Sequence, residues 1–115
     1  MSTALARLNL TLRALVETGV VAGLAYWGWH AGRTPAVRIV LAASAPLVGF
    51  GFWGLVDFRG AGRLAEPLRL VQELAVSLLA AAGLWAAGAP RLAWALAGLT
   101  VVHHALVYAL GQRLL

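Results

Sequence analysis

LRLVQELAVSLLAAAGLWAAG, residues 68–88, opens with an arginine and a glutamate one helical turn apart and then runs almost wholly apolar to Ala87. The hydrocarbon core of a bilayer is about 30 Å thick and needs about 20 mostly apolar residues in a helix to cross it. The run from Leu68 has that length, so it predicts a membrane span whose first turns carry Arg69 and Glu73. Pro67 stands just before it, where its missing N–H costs nothing in a first helical turn.

Three further runs of this kind lie at roughly 8–29, 37–56 and 92–110, giving with 68–87 four predicted spans in one transmembrane domain of residues 1–115. The breaks between them are HAGRTP, DFRGAGRLAEP and GAPR, all rich in glycine, proline or charge. Composition agrees: 62% of the 115 residues are hydrophobic and 11% are charged, against about a quarter charged in soluble domains. The predicted fold class is all-α, an integral membrane four-helix bundle.

The net charge of +5 is carried entirely by arginine. The arginines stand singly beside apolar runs, which argues against nucleic-acid binding and for anionic lipid headgroups as the partner. Arg7, Arg13, Arg59, Arg63, Arg69 and Arg113 fall on one predicted side, and Arg33, Arg38 and Arg91 on the other. That bias places both termini in the cytoplasm. The first run reads as an uncleaved span, because it is long for a signal sequence, contains Glu17 and is followed by no small-x-small site. Tyr26, Trp27, Trp29, Trp85 and Trp94 fall at outer ends, and Trp53 and Tyr108 near inner ends, as an interfacial aromatic belt requires. The chain has no cysteine, which removes thiolate chemistry and disulfides.

A shift of 56 residues superimposes Leu12 on Leu68, Arg13 on Arg69, Glu17 on Glu73, Trp29 on Trp85 and Gly32 on Gly88. The first and third spans match, while the second and fourth agree only in length and apolar character. Two readings stand: a duplicated helical hairpin, or convergence of two helices that enter the same interface.

Ionisable groups inside a span are costly and normally face protein or water. At 1.5 Å per residue, Glu17, Glu73, His103 and His104 all fall on the order of 10 Å inside the inner helix ends. Asn9, Arg13 and Glu17 share one helical face, as do Arg69, Glu73 and Ser77 with Gln72 beside them, and Thr100, His104 and Tyr108 with His103 on the flank. The predicted site is therefore a polar layer of Arg13, Glu17, Arg69, Glu73, His103 and His104. It is either a hydrogen-bonded clasp between helices or a hydrated site that passes a proton or cation. Arginine before glutamate is the less favourable order within one helix, so each glutamate is expected to meet a base from a neighbouring helix. Adjacent histidines point about 100° apart on a helix, and the Glu-x-x-His pairs of di-iron bundles are absent. No metal or other cofactor is expected.

Gly19 and Gly23 form a G-x-x-x-G that suits close helix packing, Gly49, Gly51 and Gly54 thin the second span, and Pro46 inside it is expected to bend the helix. His30 reads as an interfacial residue. No nucleophile triad, phosphate loop or metal quartet points to an enzyme.

LRALVETGVVAGLAYWGW, EPLRLVQELAVSLLAAAGLWAAG and the closing YALGQ together resemble the YrdB-like family of small bacterial membrane proteins. The resemblance covers nearly the whole chain. It implies four transmembrane helices in a bacterial inner membrane and brings no assigned activity or site. Small multidrug-resistance transporters are similar in length, helix number and a glutamate in the first span, a likeness of architecture alone. The expected role is a non-enzymatic membrane protein acting as a homo-oligomer or small accessory subunit. The alternative is a small proton- or cation-coupled transporter or channel using Glu17, Glu73 and His104.

Overall fold

The computed structural model describes residues 2–115. Four helices follow one another, α1 Ser2–Ala31, α2 Pro35–Leu55, α3 Ala65–Ala86 and α4 Pro90–Ala109, each long and apolar enough to cross a membrane. The chain runs up and down, so the start of α1, the end of α2, the start of α3 and the C-terminal tail meet at one end, called here the terminal end. α1 begins earlier than its apolar run. ALARL, residues 4–8, is composed of good helix formers, and a helix has no reason to stop where its apolar run does.

Helix boundaries follow local chemistry. Pro35 and Pro90 start α2 and α4, and the Thr34 side chain accepts the backbone N–H of Val37 at 3.2 Å as an N-cap. α3 and α4 end alike: Gly88 and Gly111 take positive φ of 90° and 70°, and the next residues, Ala89 and Gln112, donate back to Leu84 and Val107 at 2.9 and 2.7 Å. This is the Schellman closure, which glycine enters without strain. The α2–α3 connection holds a short 3-10 segment, Arg59–Leu64, preceded by Asp57, whose carboxylate accepts the N–H of Arg59 at 3.0 Å. α2 is helical through Pro46.

The helices do not form a symmetric four-membered bundle. α1, α3 and α4 pack against one another pairwise, whereas α2 lies along α1, touches α3 only slightly and does not touch α4. The two halves proposed from the 56-residue shift are thus packed unequally, α1 on α4 being more extensive than α3 on α2. Val16, Val20, Trp53, Val76, Ala80, Ala81, Leu84, Ala93 and Leu96 make the apolar core, and most of the remaining leucines and valines face outward. A cleft of about 690 Å³ opens between α2 and α3, lined by apolar residues and Ser44.

Small residues set the close approaches. A side chain at Gly28 would run into the backbone of Leu41, and one at Gly49 would meet the Leu24 side chain, so glycine on each helix lets α2 lie on α1. Gly19 faces Leu96 of α4, and Gly23 faces the Ala80 carbonyl and Leu84 of α3. The G-x-x-x-G face of α1 is therefore consumed inside the chain. Gly51 and Gly54 meet nothing within 4 Å.

Candidate functional site

Beneath the apolar core, toward the terminal end, Asn9, Gln72, Glu73, Ser77, Thr100, His103 and His104 are all buried. Glu73 lies at the centre with no exposed surface. It comes from the third turn of α3, at i+4 from Arg69, and its oxygens are reached from three helices. Arg69 Nε donates to Oε2 at 2.7 Å, Arg13 Nη1 of α1 donates to Oε1 at 3.3 Å, and His104 Nε2 of α4 lies 3.0 Å from Oε1. A buried carboxylate is tolerated only when paired and hydrogen-bonded in this way.

The layer joins the helices that the apolar core leaves loosely connected. α2 ends in carbonyls with no helical partner, and α3 supplies it: Gln72 Nε2 donates to the carbonyls of Phe52 and Val56 at 2.6 and 3.1 Å, and Arg69 Nη1 donates to that of Trp53 at 2.5 Å. Arg69 Nη1 also reaches Gln72 Oε1 at 2.8 Å. Trp53 is 4% exposed, so its place in an inner interfacial belt is corrected. Two guanidinium groups lie over its ring, Arg13 at 5.7 Å and Arg69 at 6.0 Å from the centroid, where the π face offsets part of their positive charge.

Of the six predicted residues, Arg13, Arg69, Glu73 and His104 converge directly. Glu17 does not join them. Its side chain is 39% exposed and, among the described residues, its one partner is Arg13 Nε at 3.1 Å. Both Arg/Glu pairs are i, i+4 bridges within a helix, and only Glu73 is also met by bases from other helices. His103 stands beside the cluster, its ring 4.9 Å from that of His104. Asn9 Nδ2 donates to Gln112 Oε1 at 3.2 Å, which leaves Asn9 Oδ1 to accept from His103 Nδ1 at 2.7 Å. The remaining His103 nitrogen, Nε2, is buried with no hydrogen-bond partner. A pocket of about 440 Å³ at the terminal end is lined by Asn9, Arg13, His103, Gln112 and Arg113 among others.

A second polar contact, not anticipated from the sequence, closes the C-terminal tail. Glu66 Oε1 accepts from the N–H of Leu114 at 2.6 Å and from the Tyr108 hydroxyl at 3.2 Å. The available signal was an acid in the first turn of α3, where the helix dipole already favours it. His30 is exposed at the opposite end, with Nδ1 2.8 Å from the Tyr26 carbonyl.

Glu73, His103 and His104 each offer one donor atom, and these lie within 4.8 Å of one another. The spacing alone would suit three ligands of a cation. Both carboxylate oxygens, however, already face a guanidinium, and a divalent ion there would add two positive charges beside Arg13 and Arg69. The charge balance argues against these residues as ligands.

A family described as Protein of unknown function (DUF2568) matches residues 11–101. The chain belongs to that family. The matched DUF2568 segment contains Arg13, Glu17, Trp53, Arg69 and Glu73 and stops before His103 and His104. No curated protein and no solved structure matches the chain.

Proposed function

We propose that this DUF2568 chain is a non-enzymatic, multi-pass protein of a bacterial inner membrane that acts by association, with a second copy or as a small accessory subunit of another membrane protein. The observation that carries this reading is the state of α2. It is the least buried of the four helices, it touches α1 and little else, and Gly51 and Gly54 leave its backbone open to close approach. The Gly19/Gly23 face, occupied within the chain, is not the surface for it. The polar layer supports a structural role, since Glu73 is met by Arg13, Arg69 and His104 from α1, α3 and α4, as a clasp between those helices requires. The YrdB-like resemblance fits the same reading, and the arginine distribution favours both termini in the cytoplasm.

The absence of cysteine makes the test clean. Gly54→Cys and Gly51→Cys in native membranes are expected to cross-link on mild oxidation, to a second copy or to a co-purifying membrane protein. A cysteine at Leu10, on α1, serves as the control and is expected to remain uncross-linked. Monomer alone in lipid nanodiscs, with no partner and no cross-link from α2, would overturn the proposal. Gln112→Cys, labelled by an impermeant maleimide only from the cytoplasmic side, checks orientation.

A further inference from the structure

The hydrogen bonds of His104 do not balance with a neutral imidazole and an ionised carboxylate. Nδ1 lies 2.8 Å from the Thr100 carbonyl oxygen, which only accepts, and Nε2 lies 3.0 Å from Glu73 Oε1, which only accepts when ionised. A neutral ring has one N–H for two acceptors. One additional proton resolves the conflict, either on His104 as an imidazolium or on Glu73 as a carboxylic acid donating to Nε2. The two forms contain the same atoms and differ only in where the proton rests.

The groups that face this pair oppose the proton with charge. Arg13 of α1 and Arg69 of α3 are cations, Glu17 is an anion bound to Arg13, and His103 of α4 is the adjacent titratable ring. α2 contributes no titratable side chain, only the Trp53 ring and carbonyl. With the proton present, every hydrogen bond of the pair is made and the cluster carries one net positive charge. With it absent, the cluster is neutral and one acceptor faces another. Two opposed costs of this kind favour a proton that is held reversibly.

His103 supplies a path. It lines the pocket at the terminal end, and its Nδ1–H is committed to Asn9, so its buried and unpartnered Nε2 carries a free lone pair. We propose that Glu73 and His104 hold one exchangeable proton between them, loaded from the terminal-end pocket by way of His103. A hydronium in the pocket gives its proton to His103 Nε2 and becomes water. The imidazolium then gives one proton to the Glu73 carboxylate, an oxygen of which lies within 4.8 Å of a His103 ring nitrogen, and returns to neutral, so that the proton comes to rest in the Glu73–His104 pair. The ligand of this site is the proton itself, and the proposal is independent of whether the chain associates through α2.

The test uses the full chain with 15N-labelled histidine in lipid bilayers. At neutral pH, solid-state NMR is expected to show His104 with both ring nitrogens protonated, or infrared spectroscopy a carboxylic acid band that disappears in Glu73→Gln. Either result supports the proposal, provided that the signal is lost reversibly at higher pH. A neutral His104 in the histidine spectrum together with no carboxylic acid band in the infrared overturns it, and the two spectra of the parent chain decide this without any variant. The route is tested by exchange of that signal into D2O. His103→Leu is expected to slow exchange on the order of a hundredfold, as loss of a positioned proton carrier does. Leu10→Trp, which narrows the pocket at an apolar lining residue outside the hydrogen-bonded cluster, is expected to slow it in the same direction. Unchanged exchange in both variants overturns the route through His103.

Discussion

Glu17 and Glu73 hold equivalent positions in two similar stretches of sequence, and the structure predicts that removing their charges has very different consequences. Glu73 has no exposed surface and accepts contacts at 2.7, 3.0 and 3.3 Å from three basic side chains. Replacing it by glutamine leaves Arg69, whose side chain is 14% exposed, and Arg13, at 28%, without a shared counter-charge. Breaking a buried pair from one side costs about 3–5 kcal/mol. Glutamine keeps one acceptor oxygen for Arg69, so the lower end, about 3 kcal/mol, is expected. That is a change in the unfolding equilibrium on the order of a hundredfold. Glu17→Gln removes a partly exposed pair with Arg13 alone and is expected to cost under about 1 kcal/mol. The assay is reversible unfolding in mixed micelles followed by tryptophan fluorescence, in which Trp53, whose ring lies near both affected arginines, is a local reporter. Costs that agree to within about half a kcal/mol, the usual scatter for surface substitutions, would refute the assignment of Glu73 as the electrostatic centre of the bundle.

Two further outcomes follow from packing. Gly28→Ala forces a methyl group against the Leu41 backbone and is expected to cost about 1–3 kcal/mol, whereas Gly51→Ala, with nothing within 4 Å, should lie within about 0.5 kcal/mol of the parent; unfolding midpoints of the two variants distinguish them. Trp53→Ala is expected to lose about 3–5 kcal/mol as a buried aromatic, and Trp94→Ala only about 0.5–1.5 kcal/mol, the worth of its edge-to-face pair with Trp85, measured in the same micelle assay.

The helices were legible because their signals are local. Apolar runs of bilayer length mark the spans, Pro35 and Pro90 mark two starts, and Gly88 and Gly111 mark two ends. The polar stripes were legible as well, since side chains at i and i+4 share a face whatever that face meets. The stripes did not reveal which glutamate would be enclosed. Arg13–Glu17 and Arg69–Glu73 present the same spacing, and their difference arises from α4, which brings His104 to one of them. Trp53 lies near the end of an apolar run, where tryptophan ordinarily marks an interface, and only the approach of α1 and α3 encloses it. The cap that Gln72 places on α2 was hidden for the same reason, because a helix shows in sequence that its last carbonyls lack partners but not who supplies them.

By itself, then, the amino-acid order determined the number of helices, their bilayer-spanning length and apolar character, and the pattern of polar faces, because hydropathy, turn chemistry and helical periodicity act over a few residues. The tertiary structure decided that α2 lies along α1 and touches α3 only slightly and α4 not at all, that Gly19 and Gly23 are spent inside the chain, and that Glu73 rather than Glu17 is the buried charge. Burial belongs to neighbours from distant parts of the chain, and in a bundle with so few ionisable groups the placement of one helix determines which carboxylate is cut off from its surroundings and must be held by side chains alone.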